Sequence, residues 1–261
     1  MTASALPALF LAHGAPTLAI EQHEYAAWLR KLGGILPRPE AVVVFSAHWP
    51  SPVQRIACAD TYETMHDFFG FPDHLYRLQY PASGDSSLAR RIRSLLAAEG
   101  IDSELDGSRG LDHGAWGPLM LMYPDADIPV VGMSVNPALV PEEHYRIGRS
   151  LGRLRRERVL IVGSGGSVRN MEKLDWKSLH ARSWALDFDR WLAGHLETWN
   201  TEMLFRYETL APFAREAVPH PEHLAPLLIA MGSADGGSRR AKLLHRQYLW
   251  GTLSLSGWMF G

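Results

Sequence analysis

The sequence predicts an α/β fold, a central, mostly parallel sheet with helices on both faces, and three observations carry that expectation. Short continuous apolar runs, Leu9-Phe10-Leu11-Ala12, Val42-Val43-Val44-Phe45 and Val159-Leu160-Ile161-Val162, read as strands buried on both faces. Helix-length segments separate them, as β-α-β units require. Two of the strands run into a histidine, His13 and His48. In open α/β sheets ligands collect outside the carboxyl ends of the strands, so both imidazoles are expected at one edge.

Composition narrows the function classes. With 261 residues, 46% apolar and 21% charged, the chain can bury one sizeable core. No repeat, low-complexity tract or charged linker divides residues 1–261, so a single catalytic domain is expected. A net charge of -2 without a Lys/Arg block argues against nucleic acid. The lone Cys58 excludes a disulfide framework and a Cys-based zinc site. No apolar run is long enough to cross a bilayer, and Met1–Pro7 lacks a basic leader region. The expectation is a cytoplasmic protein with neither membrane nor nucleic-acid partner; a homo-oligomer is left open. Twelve His and nine Trp exceed what solubility requires.

Taken in order, the strand ending at His13 leads to a helix over Glu21–Leu36, closed by Gly33-Gly34 and Pro37. The organising strand 41–46 follows and delivers His48 to a loop; Val53–Ala57 is a further short strand. Thr61–Gly84 is aromatic and broken by Gly and Pro, which suits a loop covering a pocket. Ser86 or Ser87 caps a helix to Glu99, Gly100 ends it, and Ile101–Leu105 is a strand. A loop over 111–118 leads to a short apolar segment, Leu119–Tyr123, and Ile128–Ser134 is another buried strand. Pro141–Arg156 is helical, with Glu142 and Glu143 in its first turn and Arg153, Arg155 and Arg156 in its last, as the helix dipole favours. Val159–Gly163 is the last central strand. Ser178–Glu197 is a long amphipathic helix, further helix runs to Ala217, and Pro221 opens another. Alternation over Leu243–Phe260 suggests added edge strands.

The glycine-rich turn 163–167 fails as a nucleotide motif, because Val168 stands where a third Gly or Ala belongs and no Walker Lys follows. It fails as a serine nucleophile elbow too, since Val162 precedes Ser164 by two. What survives is a tight turn bringing backbone close to a pocket. His13 and His48 together favour a metal, because neutral imidazole is the commonest transition-metal ligand; each alone reads as a strand cap. His113, beside Gly114 and Trp116, suits substrate hydrogen bonding or proton transfer. His220 and His223 are spaced i, i+3: either could ligate a metal, or one caps a helix while the other packs. His66-Asp67, in the aromatic loop, reads as a surface polar pair, with gating of the pocket as the other option.

These stretches together resemble the class III extradiol ring-cleavage dioxygenases, in the branch typified by 4,5-DOPA extradiol dioxygenase. The resemblance rests on Ala12-His13-Gly14-Ala15-Pro16, Ser46-Ala47-His48-Trp49, His66–Pro72 and Tyr80–Gly84. It continues through Leu111–Trp116, Ser164–Asn170 and Pro219–Leu224, in family order. It implies a mononuclear non-haem Fe(II) site, which zinc can occupy in purified protein, with His13, His48 and His223 as ligands. It implies a catechol-type aromatic and O2 as substrates, with His113 hydrogen-bonding substrate or oxygen. Trp49, Phe71, Trp116 and His220 are expected to bind the substrate. One position departs: the family usually has His where this chain has Arg169, which can neither accept a proton at neutral pH nor ligate a metal. Arg169 is therefore expected within or at the rim of the pocket, available to a substrate carboxylate. Two other functions compete. One is a metal- or small-molecule-binding protein that has lost ring cleavage. The other is a zinc hydrolase, disfavoured by the lack of an H-E-x-x-H or carboxylate-rich motif.

Overall fold

The computed structural model describes residues 5–261, so most of the N-terminal stretch read for a leader lies outside the described residues. Its strands are β1 Ala8–Ala12, β2 Ala41–Pro50, β3 Gln54–Ala57, β4 Ser103–Asp106, β5 Val130–Val135, β6 Val159–Gly165, β7 Ala241–Leu249 and β8 Leu253–Phe260. They form one sheet in the order β4-β3-β5-β2-β6-β1-β8-β7. The pairs β5/β2, β2/β6, β6/β1 and β3/β4 are parallel, while β3/β5, β1/β8 and β8/β7 are antiparallel. The α/β expectation holds, including the strands added by the tail.

The helices are α1 Glu24–Ile35, α2 Ser86–Ala98, α3 His113–Met122, α4 Pro141–Leu151, α5 Ser183–Glu197, α6 Thr201–Phe205, α7 Tyr207–Leu210, α8 Ala214–Ala217 and α9 Ala225–Ser233. Because side chains alternate along a strand, each central strand feeds two cores. Phe10, Val43, Phe45 and Ile161 pack with Ile92, Tyr145, Phe188 and Leu228 from α2, α4, α5 and α9. Leu9, Leu11, Val42, Val44 and Val162 pack with Leu29 and Trp116 from α1 and α3. Helices thus cover both faces.

Three local departures from the sequence reading bear on the site. β2 does not stop at residue 46: its pairing with β6 ends at Ser46, its register against β5 shifts between Phe45 and Pro50, and His48 sits in that irregular stretch. Residues 113–118 are helix rather than loop. Asp112 caps α3 by accepting from the Ala115 amide at 3.2 Å, which overrides the helix-breaking Gly114, Gly117 and Pro118. The second helix of the chain is capped by Asp85, not by Ser86 or Ser87. The stretch expected as a tight turn beside a pocket instead continues β6 as strand to Gly165, and its backbone closely approaches the segment before α9. A Cβ on Gly163 would overlap the Pro226 carbonyl, and one on Gly165 the His223 carbonyl. Gly166 N–H donates to that same His223 carbonyl at 2.8 Å. Glycine thereby lets the segment before α9 lie directly on the sheet.

Candidate active site

Three central strands end side by side in the order β2-β6-β1, and the site is built on their carboxyl ends. His13 follows β1 directly, its amide donating to the Gly165 carbonyl at 3.1 Å. Gly14 then turns the chain with φ +65, a conformation other residues avoid. The His48 amide donates to Ser46 Oγ at 3.2 Å, and that hydroxyl donates to Asp112 Oδ1 at 2.5 Å. His113 opens α3, and His223 ends a one-turn 3-10 helix, Pro221–His223.

The four imidazoles converge. His13 and His48 have ring centroids 4.7 Å apart with facing Nε2 atoms at 3.2 Å. His113 lies 4.0 Å from His48, and His223 5.4 Å from both His13 and His48. The ring nitrogens of His13, His48 and His113 come within 4.8 Å of one another, so the tightest trio contains His113 where the sequence reading has His223.

A chain of side-chain and backbone groups sets the orientation of His13. Pro118 has no N–H, so the Gly114 carbonyl four residues before it loses its helical donor. The Ser164 hydroxyl donates to that carbonyl instead. Its oxygen is left to accept from His13 Nδ1, 3.3 Å away, and the His13 Nε2 lone pair faces the cluster. Asp67 sits on the other side. One carboxylate oxygen lies 2.9 Å from His113 Nδ1 and from the His113 amide; the other lies 3.2 Å from His48 Nδ1. Burial opposes ionisation of Asp67, but the His113 bonds and the neighbouring His48 imidazole outweigh it and hold the carboxyl well below its usual range.

The donor set suits a transition metal. Burial pushes the His223 imidazole down to about 4, and burial, reinforced by the neighbouring histidines, holds His13 well below 6.5. Burial also lowers His113 against the pull of Asp67. Neutral imidazoles with inward lone pairs are what such a metal binds. His223 adds a sharper observation: it is 7% exposed, and neither ring nitrogen has a hydrogen-bond partner among the described residues. Its Nδ1 lies 3.3 Å from Glu222 Oε1, without hydrogen-bond geometry.

Beside the cluster lies a cavity of about 410 Å³ walled by Phe68, Phe69, Phe71, Met171, Trp176 and Trp250, with His48, Asp67, His113 and Arg169 also reaching it. Phe71 and Arg169 are both among the residues that line it. Arg169 forms no ion pair among the described residues, and its Nε is buried without a partner. Burial lowers its pKa and the Glu222 carboxylate opposes the shift, so the side chain remains a cation. Trp49, Trp116 and His220 do not reach the cavity. Trp49 packs in the core under the Arg109 guanidinium, 5.1 Å from its ring centre. Trp116 is wholly buried, its indole N–H donating to the Met65 carbonyl at 2.9 Å. His220 is exposed and precedes the 3-10 helix without a side-chain cap bond. Asp67 and Ser164 went unread as site residues. The sequence signals for Asp67 are its place among the aromatics of the loop and within the His66–Pro72 stretch.

Fold and site together define a histidine-rich α/β enzyme with a metal-competent centre and an aromatic-walled cavity. The chain belongs to the family described as the catalytic LigB subunit of aromatic ring-opening dioxygenase, matched over residues 7–257, and is accordingly an oxidoreductase of the ring-cleaving dioxygenase class. It is 40% identical over 257 residues to a 4,5-DOPA dioxygenase extradiol of Beta vulgaris, covering 96% of this chain and 95% of that protein. It is 39% identical to the Escherichia coli K12 protein of the same name, over 90% of this chain and 88% of the relative. A crystal structure of an uncharacterized Escherichia coli K12 protein superimposes with a TM-score of 0.84 at 34% identity, covering 98% of this chain and 100% of that one.

Proposed function

We propose that residues 1–261 form one cytoplasmic catalytic domain, an extradiol dioxygenase that opens the ring of a catechol-type aromatic of the DOPA or carboxylated kind, with O2 as co-substrate. The observation that carries this reading is the set of converging imidazoles beside an aromatic-walled cavity. His13, His48 and His223 would hold a mononuclear Fe(II). His223 is preferred over His113 as third ligand because its buried ring nitrogens have no other partner, and leaving them unpaired costs about 1–3 kcal/mol. Fe(II), when bound, supplies Lewis acidity toward the catechol oxygens and open positions for substrate and O2.

The protein's own groups do the rest. His113, bound through Nδ1 to Asp67, presents Nε2 to the cavity side and exchanges a proton or hydrogen bond with the substrate. Phe71 and its neighbours exclude water and stack the planar ring. Arg169 pairs with a substrate carboxylate through its fork of donors. A second reading, a binding protein that no longer cleaves rings, is favoured by one feature: an arginine cannot serve as a base. The test is anaerobic loading with Fe(II), addition of DOPA, then admission of air. A yellow ring-fission product supports cleavage, and oxygen inertness with retained metal supports the second reading. Metal analysis of His223→Ala and His113→Ala separates the ligand sets: loss of bound metal in the former and retention in the latter is expected, and the reverse would exchange their roles.

A further inference from the structure

We infer that Asp67 is a positioning residue that fixes the tautomers of two site histidines at once, so that both present Nε2 lone pairs to the centre. The inference rests on the metal-site reading above for its purpose, but not for its geometry. A carboxylate has acceptors and no proton to give, so each ring nitrogen bonded to it must carry the hydrogen. Oδ1 faces His113 Nδ1 at 2.9 Å and Oδ2 faces His48 Nδ1 at 3.2 Å. The His113 ring is thereby Nδ1–H. His48 Nδ1 stands at ion-pair distance, where a bare lone pair would face the carboxylate's charge, so Nδ1–H is favoured on that ring too. The His48 Nε2 is the atom lying 3.2 Å from His13 Nε2. One side chain thus prepares groups carried by two different elements, β2 and α3.

The carboxylate is itself held in place. The Met65 amide donates to the Leu111 carbonyl at 2.7 Å, and the Leu111 amide donates to the Glu63 carbonyl at 2.9 Å. His66 Nε2 bonds the Leu78 carbonyl at 3.1 Å. The loop is therefore tied to the segment that leads into α3. Helix capping alone does not account for Asp67, because Asp112 already fills the cap position. Phe68, Phe69 and Phe71 of the same loop wall the cavity, so one segment both shapes the substrate wall and orients the imidazoles.

Asp67→Asn tests this. Asn is the same size, and its oxygen can still accept from the His113 amide, but its NH2 must face one of the two rings. That ring is driven to the Nε2–H tautomer and loses its inward lone pair. Long-range 1H–15N NMR of the metal-free wild type should show Nδ1–H on His48 and His113, and the variant should show at least one switched. Zn(II) affinity, measured by competition with a chromophoric chelator, should fall about 10–100-fold. Wild-type tautomers and wild-type Zn(II) affinity in the variant would overturn the inference. So would Nε2–H on either ring of the wild type, a result that does not depend on the variant folding. If the tautomers switch as expected but the wild type takes up no metal, the metal-site reading fails and the positioning role stands.

Discussion

On the proposed reading, substrate choice turns on Arg169. A guanidinium without an ion-pair partner, set in a largely apolar wall, repels a nearby divalent cation more strongly than it would in water. An anionic substrate group relieves that repulsion. Carboxylated catechols should therefore be cleaved in preference to plain ones. Arg169→His should erase the preference by raising KM for the carboxylated substrate about 10–100-fold, the loss of one charged hydrogen-bonded pair, while turnover of carboxylate-free catechol stays equal or rises. Steady-state oxygen uptake on both substrates reads this. Rapid cleavage of plain catechol by the wild type, abolished by the substitution, would contradict it. Which residues were legible follows from the chemistry. His13 and His48 announce themselves by ending apolar runs, whereas Ser164 meets His13 across 151 residues and Asp67 meets His113 across 46. Trp49 was misplaced for a period-two reason: it follows His48 in an extended strand, so when the imidazole faces the site the indole faces away.

At the scale of elements, β6 is the seat of the His223 segment. Gly165→Ala should push the His223 backbone off the sheet, costing about 1–3 kcal/mol of stability by overpacking and lowering bound metal along with it. Gly34→Ala is the control, since no atom lies within 4 Å of its added Cβ and α1 is regular there. It should stabilise by about 0.5–1 kcal/mol. Urea unfolding and metal content of the two variants check both halves; a neutral Gly165→Ala would mean that the close approach is dispensable. The strands of the central sheet were readable because burial on both faces demands unbroken apolar runs. The start of α3 was not. Gly114, Gly117 and Pro118 each argue against a helix, and only the tertiary bond from Ser164 shows where the freed Gly114 carbonyl finds its donor. The three short helices between residues 201 and 217 carry too few turns for a periodic signal.

For the whole molecule, buried neutral histidines govern acid stability. Burial lowers the His144 imidazole from 6.5 to about 4, and neither of its ring nitrogens is partnered among the described residues. The unfolded chain takes up that proton below about 6.5 while the folded one does not. The contribution is therefore complete above that pH and drains away as pH falls toward 4, amounting to about 3 kcal/mol. The urea midpoint of chelator-treated protein should fall between pH 7 and pH 5, and His144→Leu should narrow the gap. An unchanged gap would show that this histidine is not protonated on unfolding. A last consequence concerns the order in which the chain can become an enzyme. β1, the strand that presents His13, lies between neighbours far along the polypeptide: Ala8 pairs with Ile161 on one side and with Phe260 on the other. Closing such long loops is the slow part of folding. A nascent chain leaving the ribosome holds β1 as a waiting edge until β8 emerges, so the strand that presents His13 is sheltered on both sides only once residues 253–260 have joined it.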